Sequence, residues 1–94
     1  MLTKGETTMD SNFKIGTSVY DVHECNDGKY RVSQMSVFAV IQGWVYLERN
    51  NDFARKSILD KDKWLFLTKS EALLRMEELA SSGYKVEMPT AHEL

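Results

Sequence analysis

Apolar positions along this chain fall into short, turn-bounded runs of strand-forming residues up to residue 67 and then change to helical spacing. Phe13, Ile15, Val19, Tyr20 and Val22 make the first strand-like run, with Gly16 as a bend inside it. Asn26-Asp27-Gly28 supplies the left-handed positions of a tight hairpin turn. Tyr30 to Gln42 follows as a long strand whose first half alternates, Tyr30 and Val32 against Arg31 and Ser33. Its second half, Val37-Phe38-Ala39-Val40-Ile41, is apolar on both sides, as expected of a strand covered on both faces, and a bent strand shared by two sheets would satisfy that. After a turn at Gln42-Gly43, Trp44 to Arg49 sets Val45 and Leu47 on one face and Trp44 and Tyr46 on the other. Asn50-Asn51-Asp52 turns the chain again into a short basic strand, Phe53 to Leu59, anchored by Ile58 and Leu59. The charged turn Asp60-Lys61-Asp62-Lys63 leads to a last strand of this series, Trp64 to Leu67.

Thr68, followed three residues later by Glu71, forms a capping box: the hydroxyl accepts from the Glu71 amide and the carboxylate reaches back to the Thr68 amide. The spacing predicts a helix over 69–82. At 100° per residue, Ala72, Leu73, Met76, Leu79 and Ala80 share an arc ~120° wide that must face a core. Glu71 and Arg75 sit at i,i+4 on the polar side, and Leu74 is the one apolar residue there. Gly83 fits the left-handed position past the helix end, with Tyr84 folding back on Leu79.

Lys85 to Met88 is read as a short closing strand before Pro89. The polar, aperiodic stretch 1–12 is read as a flexible lead-in, in which Met9 offers an alternative start, and 89–94 as a frayed end. Residues 13–88 then make a single mainly β domain with one C-terminal helix. Short strands, tight turns and one helix predict an SH3-like antiparallel barrel of four or five strands with its open side or end covered by the helix. A curved open sheet with the helix on one face is the alternative.

With 94 residues, 43% hydrophobic and 28% charged, the chain has the balance of one globular domain that buries roughly 60–65% of its unfolded surface. The net charge of −2 argues against a protein that coats nucleic acid through bulk electrostatics. The charge is uneven: residues 49–69 carry a net +3 and the remainder −5. A single cysteine forms no internal disulfide, and no leader or long apolar run is visible, so a bacterial cytoplasm is the expected compartment, with no membrane partner.

His23 and Cys25 are two apart on a predicted strand, so their side chains point the same way, close enough for an imidazole to activate a thiol. No third orienting group or oxyanion site is legible. Adding His92 does not reproduce the paired spacing of a structural zinc site, and Asp60-x-Asp62 lacks the glycine and glutamate that a calcium loop needs at its sixth and twelfth positions. No catalytic residue, metal or cofactor is expected. The candidate chemistry is binding: Trp44, Tyr46, Phe53 and Trp64 are interleaved with Arg49, Arg55, Lys56 and Lys63, a composition that anchors a protein partner or stacks bases. Trp44 and Trp64, each next to a turn, are the aromatics expected to be partly exposed.

Lys14-Ile15-Gly16-Thr17-Ser18-Val19-Tyr20, the Val37–Ile41 strand and Leu65-Phe66-Leu67-Thr68-Lys69-Ser70-Glu71-Ala72 together resemble a group of small accessory proteins of phages, prophages and mobile elements of Gram-positive bacteria. In that group a glycine followed by a Val-Tyr strand opens a small barrel, and a Phe-x-Thr-Lys-x-Glu-Ala junction starts the closing helix. The resemblance covers about seven-tenths of the chain. It implies a non-enzymatic protein that occupies the surface of a host protein, such as a nuclease complex of a defence system, in the manner of anti-CRISPR inhibitors. The alternative is a small SH3-like nucleic-acid-binding module.

Overall fold

The computed structural model describes residues 13–89; the expected loose segments 1–12, with Met9, and 90–94, with His92, lie outside the described residues. The strands are β1 (Ser18–Glu24), β2 (Tyr30–Ile41), β3 (Trp44–Arg49), β4 (Asp52–Ser57) and β5 (Leu65–Phe66), with a 3₁₀ turn at Ile58–Asp60 and a helix, α1 (Lys69–Ser81). They make one antiparallel sheet ordered β4-β3-β2-β1-β5.

That order leaves β4 and β5 as edges, so the sheet is curled but not closed, the open form of the two that the sequence allows. The curl is visible in one contact. In a flat sheet β4 and β1, separated by two strands, would lie ~14 Å apart. Here Lys56 on β4 reaches across the concave face to place Nζ 3.0 Å from Oδ1 of the buried Asp21 on β1. The angle falls outside hydrogen-bonding geometry for that carboxylate oxygen, so the contact is an ion pair; Nζ also lies 3.4 Å from the Val22 carbonyl, which accepts from it.

Each face of the sheet has its own core because strand residues alternate and the registers align them. Val19 opposite Met35, Val37 opposite Leu47 and Val40 opposite Val45 point into the concave face, where Phe13 and Leu65 join them. Phe13 is held there by a loop in which the Gly16 amide donates to the Val37 carbonyl and the Val37 amide to the Thr17 carbonyl. On the convex face, Val22, Val32 and Phe66 receive Ala72, Met76 and Leu79 of α1. The helix therefore lies over β1, β2 and β5 and leaves the convex side of β3 and β4 bare.

Local structure follows the sequence with several differences. Thr68 caps α1 by accepting from the Glu71 amide, but the Glu71 carboxylate takes the Thr68 hydroxyl proton, not the backbone amide. Arg75 pairs with Glu78 instead of Glu71 and donates to the Lys63 carbonyl. Ala80 is exposed, because the helix buries a narrower stripe than the arc suggests. At its end, Tyr84 and Gly83 amides donate to Leu79 and Ala80 carbonyls with Gly83 at φ 94°, the expected stop, while the Tyr84 ring packs edge-on against Tyr30. In the first hairpin turn only Gly28 takes the left-handed conformation. β4 ends at Ser57, whose hydroxyl accepts from the Leu59 amide and starts the 3₁₀ turn, so Ile58 anchors the concave core but Leu59 is exposed. The expected strands at both ends of the series are shorter: the first begins at Ser18, β5 spans Leu65–Phe66, and Lys85 to Met88 contributes one parallel bridge, Val86 to Tyr30.

Candidate functional site

The bare part of the convex face carries the aromatic residues. Register places Tyr46 opposite Arg55, Ile41 opposite Trp44 and Glu48 opposite Phe53, all on this side of the sheet. A bulge between Val37 and Ala39 inserts Phe38, which the extra residue keeps on the same side as Tyr46. The rings then meet: Phe38 lies 5.8 Å from Phe53, edge to face, and 6.1 Å from Tyr46. The Arg55 guanidinium sits 4.3 Å over the Trp44 ring. That cation–π contact is worth about 0.5–1 kcal/mol at an exposed position and biases both side chains toward this arrangement.

Phe38, Ile41, Trp44 and Phe53 are 41%, 53%, 38% and 65% exposed. Single exposed apolar residues are ordinary on a protein surface, but four that adjoin one another on one sheet face are not. Four of the eight predicted binding residues, Trp44, Tyr46, Phe53 and Arg55, are thus brought together here. The other four are elsewhere. Arg49 and Lys56 project from the opposite, concave side, where they line a cleft of about 590 Å³ with Asp21, His23 and Ser33. Lys63 and Trp64 lie beside α1: Trp64 is half-buried, stacked on Tyr30 with Arg75 4.8 Å over its ring. The basic stretch is therefore not one patch. Lys56 is committed to Asp21, and Lys61 pairs with Asp62.

Phe38 and Ile41 belong to the face and were not expected in it. Their signal was the doubly apolar run 37–41, which reads as burial on both sides; here one side has no cover among the described residues. The His23–Cys25 pair does form: Sγ lies 3.6 Å from Nδ1, and the ring's other nitrogen, Nε2, is 3.1 Å from Ser33 Oγ. Ser33, which the sequence did not single out, thus contacts the same imidazole as Cys25. Among the described residues, no three of His, Cys, Asp or Glu are grouped to hold a metal, and no helix is long and apolar enough to cross a membrane.

At the first hairpin, the Arg31 guanidinium and the Lys29 amide donate to Asp27 and hold its carboxyl down at about 2 from an ordinary 3.8. Arg31 also bridges to Glu87 at 2.7 Å, tying this turn to the C-terminal segment. Since the folded value lies below the unfolded one, the contribution of Asp27 is present above about pH 4 and is lost as pH falls through about 2. Amide protection factors at residues 25–30 should fall over that interval, and Asp27→Asn should remove the acid dependence. An unchanged pH profile in the variant would show that Asp27 does not hold the turn.

Comparison of the chain with protein-family profiles, curated proteins and solved structures gives no match.

Proposed function

We propose that this chain is a non-enzymatic binding module that docks a protein on the bare convex face of β2, β3 and β4. The observation that carries the reading is the contiguous exposure of Phe38, Ile41, Trp44 and Phe53 beside an Arg–Trp stack. Aromatic rings and an arginine gathered at one spot are the composition of interface hot spots, where a few residues supply most of the binding free energy. The motif resemblance suggests a phage or mobile-element accessory protein whose partner is a host protein, with a defence nuclease complex as the specific candidate. Dispersal of the basic residues over both faces supports a protein partner over nucleic acid, which needs clustered cations along its backbone.

The test is capture from a Gram-positive host lysate by the immobilised chain, with and without nuclease treatment. Trp44→Ala and Phe53→Ala are each expected to lower retention of the captured protein about tenfold or more while the domain stays folded by circular dichroism. Leu74→Ala, an exposed apolar residue on α1, should leave capture unchanged. Equal capture by folded Trp44 and Phe53 variants would remove this face as the site. Material lost on nuclease treatment would identify a nucleic-acid binder instead.

A further inference from the structure

The inner side of the curled sheet changes character along its strands. At one end Val19, Val37, Val45 and Leu47 fill it as a core. Toward the β3–β4 turn the next inward positions are polar: Asp21 and His23 on β1, Ser33 on β2, Arg49 on β3 and Asp52 on β4, which with Lys56 line the cleft of about 590 Å³. A space of that size, apolar where Met35 and Ala54 lie and edged by a few convergent polar groups, has the make-up of a small-molecule site.

Two features of the lining are left over by the fold. Asp21 is 4% exposed, yet its Oδ1 receives no hydrogen bond among the described residues. Buried carboxylate oxygens are seldom left so. The Lys56 ammonium beside it has three donors, and the Val22 carbonyl takes one of them. Arg49 and Asp52, in turn, lie opposite each other across the β3–β4 ladder on the inner side, and no salt bridge joins them. His23 and Ser33, by contrast, bond to each other and complete the wall.

We propose that this cleft binds a zwitterionic α-amino acid whose side chain ends in a carboxamide, as that of glutamine does. Charge selects the class. Arg49 and Lys56 balance Asp21 and Asp52, so a net anion such as phosphate, or a net cation such as a polyamine, meets as much repulsion as attraction. A molecule that carries both charges gains at both, through charge-assisted hydrogen bonds about twice as strong as those a neutral polyol makes. The α-carboxylate is assigned to Arg49, whose guanidinium offers it a fork, and the α-ammonium to Asp52. The carboxamide is assigned to the Asp21–Lys56 pair: its amide N–H donates where the carboxylate lacks a donor, and its carbonyl accepts from the ammonium. A side-chain carboxylate would instead be repelled by Asp21, and a side-chain ammonium by Lys56. The cleft lies across the sheet from Trp44 and Arg55 and is independent of the docking reading.

Titration of the isotope-labelled full chain with free glutamine, followed by backbone amide shifts, is expected to move residues 21, 33, 49 and 52 with a dissociation constant of about 1 mM or below. The decarboxylated and the deaminated analogues of glutamine, each with one charged end, should bind about tenfold more weakly, as should glutamate and lysine. Arg49→Met and Asp52→Asn, both at exposed positions, should each weaken glutamine about tenfold with the amide spectrum of the fold retained, and Leu74→Ala should leave it unchanged. No shift up to about 10 mM glutamine, or shifts confined to residues outside the cleft, overturns the site. Equal binding of a single-ended analogue overturns the zwitterion, and equal binding of glutamate or lysine overturns the carboxamide.

Discussion

Lys56→Met is expected to cost about 3–5 kcal/mol of folding stability, the range seen when one member of a buried ion pair is removed and the other is left charged without a partner. Asp21 is 4% exposed, so without the ammonium its carboxylate has little access to the water of the cleft it lines. For a domain of this size the midpoint of thermal unfolding should fall by more than about 12 °C. Charge, not volume, is the cause, because methionine fills most of the space of the lysine stem. Asp21→Leu combined with Lys56→Met should therefore restore most of the loss, since replacing a buried pair by apolar residues is often neutral. Urea unfolding of the single and double variants checks this, and a loss below about 1 kcal/mol in Lys56→Met would mean that the curl is held by packing alone.

Met76→Ala should cost about 2–4 kcal/mol through the cavity it opens between α1 and the convex face. Met76 has no exposed surface and lies in the cluster with Val22, Val32 and Phe66. Leu74→Ala, two residues away on the solvent side, should change stability by less than about 0.5 kcal/mol. The contrast tests the orientation of the helix, and urea unfolding followed by far-ultraviolet circular dichroism reads both. Similar losses in the two variants would mean that α1 is not packed by the Ala72–Met76–Leu79 stripe.

The strands, the turns and α1 were legible because each is specified locally. Asn50-Asn51 and Gln42-Gly43 are turn sequences whatever surrounds them, and Thr68 with Glu71 marks a helix start on its own. What escaped is set by distance in sequence. No pattern within β1 or β4 shows that Asp21 and Lys56, 35 positions apart, meet across the concave face. Lys56 was therefore read as a surface cation available to a partner. The same reason explains Phe38 and Ile41: an apolar run states that side chains avoid water, not whether this chain supplies the cover. Burial by a partner and burial by the chain's own core leave the same sequence. Trp64 is partly exposed, as its place after a charged turn suggests, but that position does not show that its ring stacks on Tyr30 with Arg75 close by.

Phe38, Ile41, Trp44 and Phe53 make no use of α1, which is fully occupied over β1, β2 and β5. The bulge at Phe38 adds a ring to this face without turning Val40 out of the concave core. On β3 and β4 the side chains that hold the fold are the concave ones, Val45, Leu47 and Ala54, and the docking proposal uses the opposite side.

The order of pairing along the sheet has a consequence for a chain emerging from a ribosome. β1 to β4 pair each with the next in sequence, so those hairpins can assemble as soon as residue 57 has cleared the exit tunnel. β5 and α1, which return to β1 from the far end, come later. Until α1 has emerged and docked, Val22 and Val32 remain wet, and the nascent sheet presents apolar surface on both ends of its convex side. Among the described residues, only one of those surfaces is covered once α1 has docked.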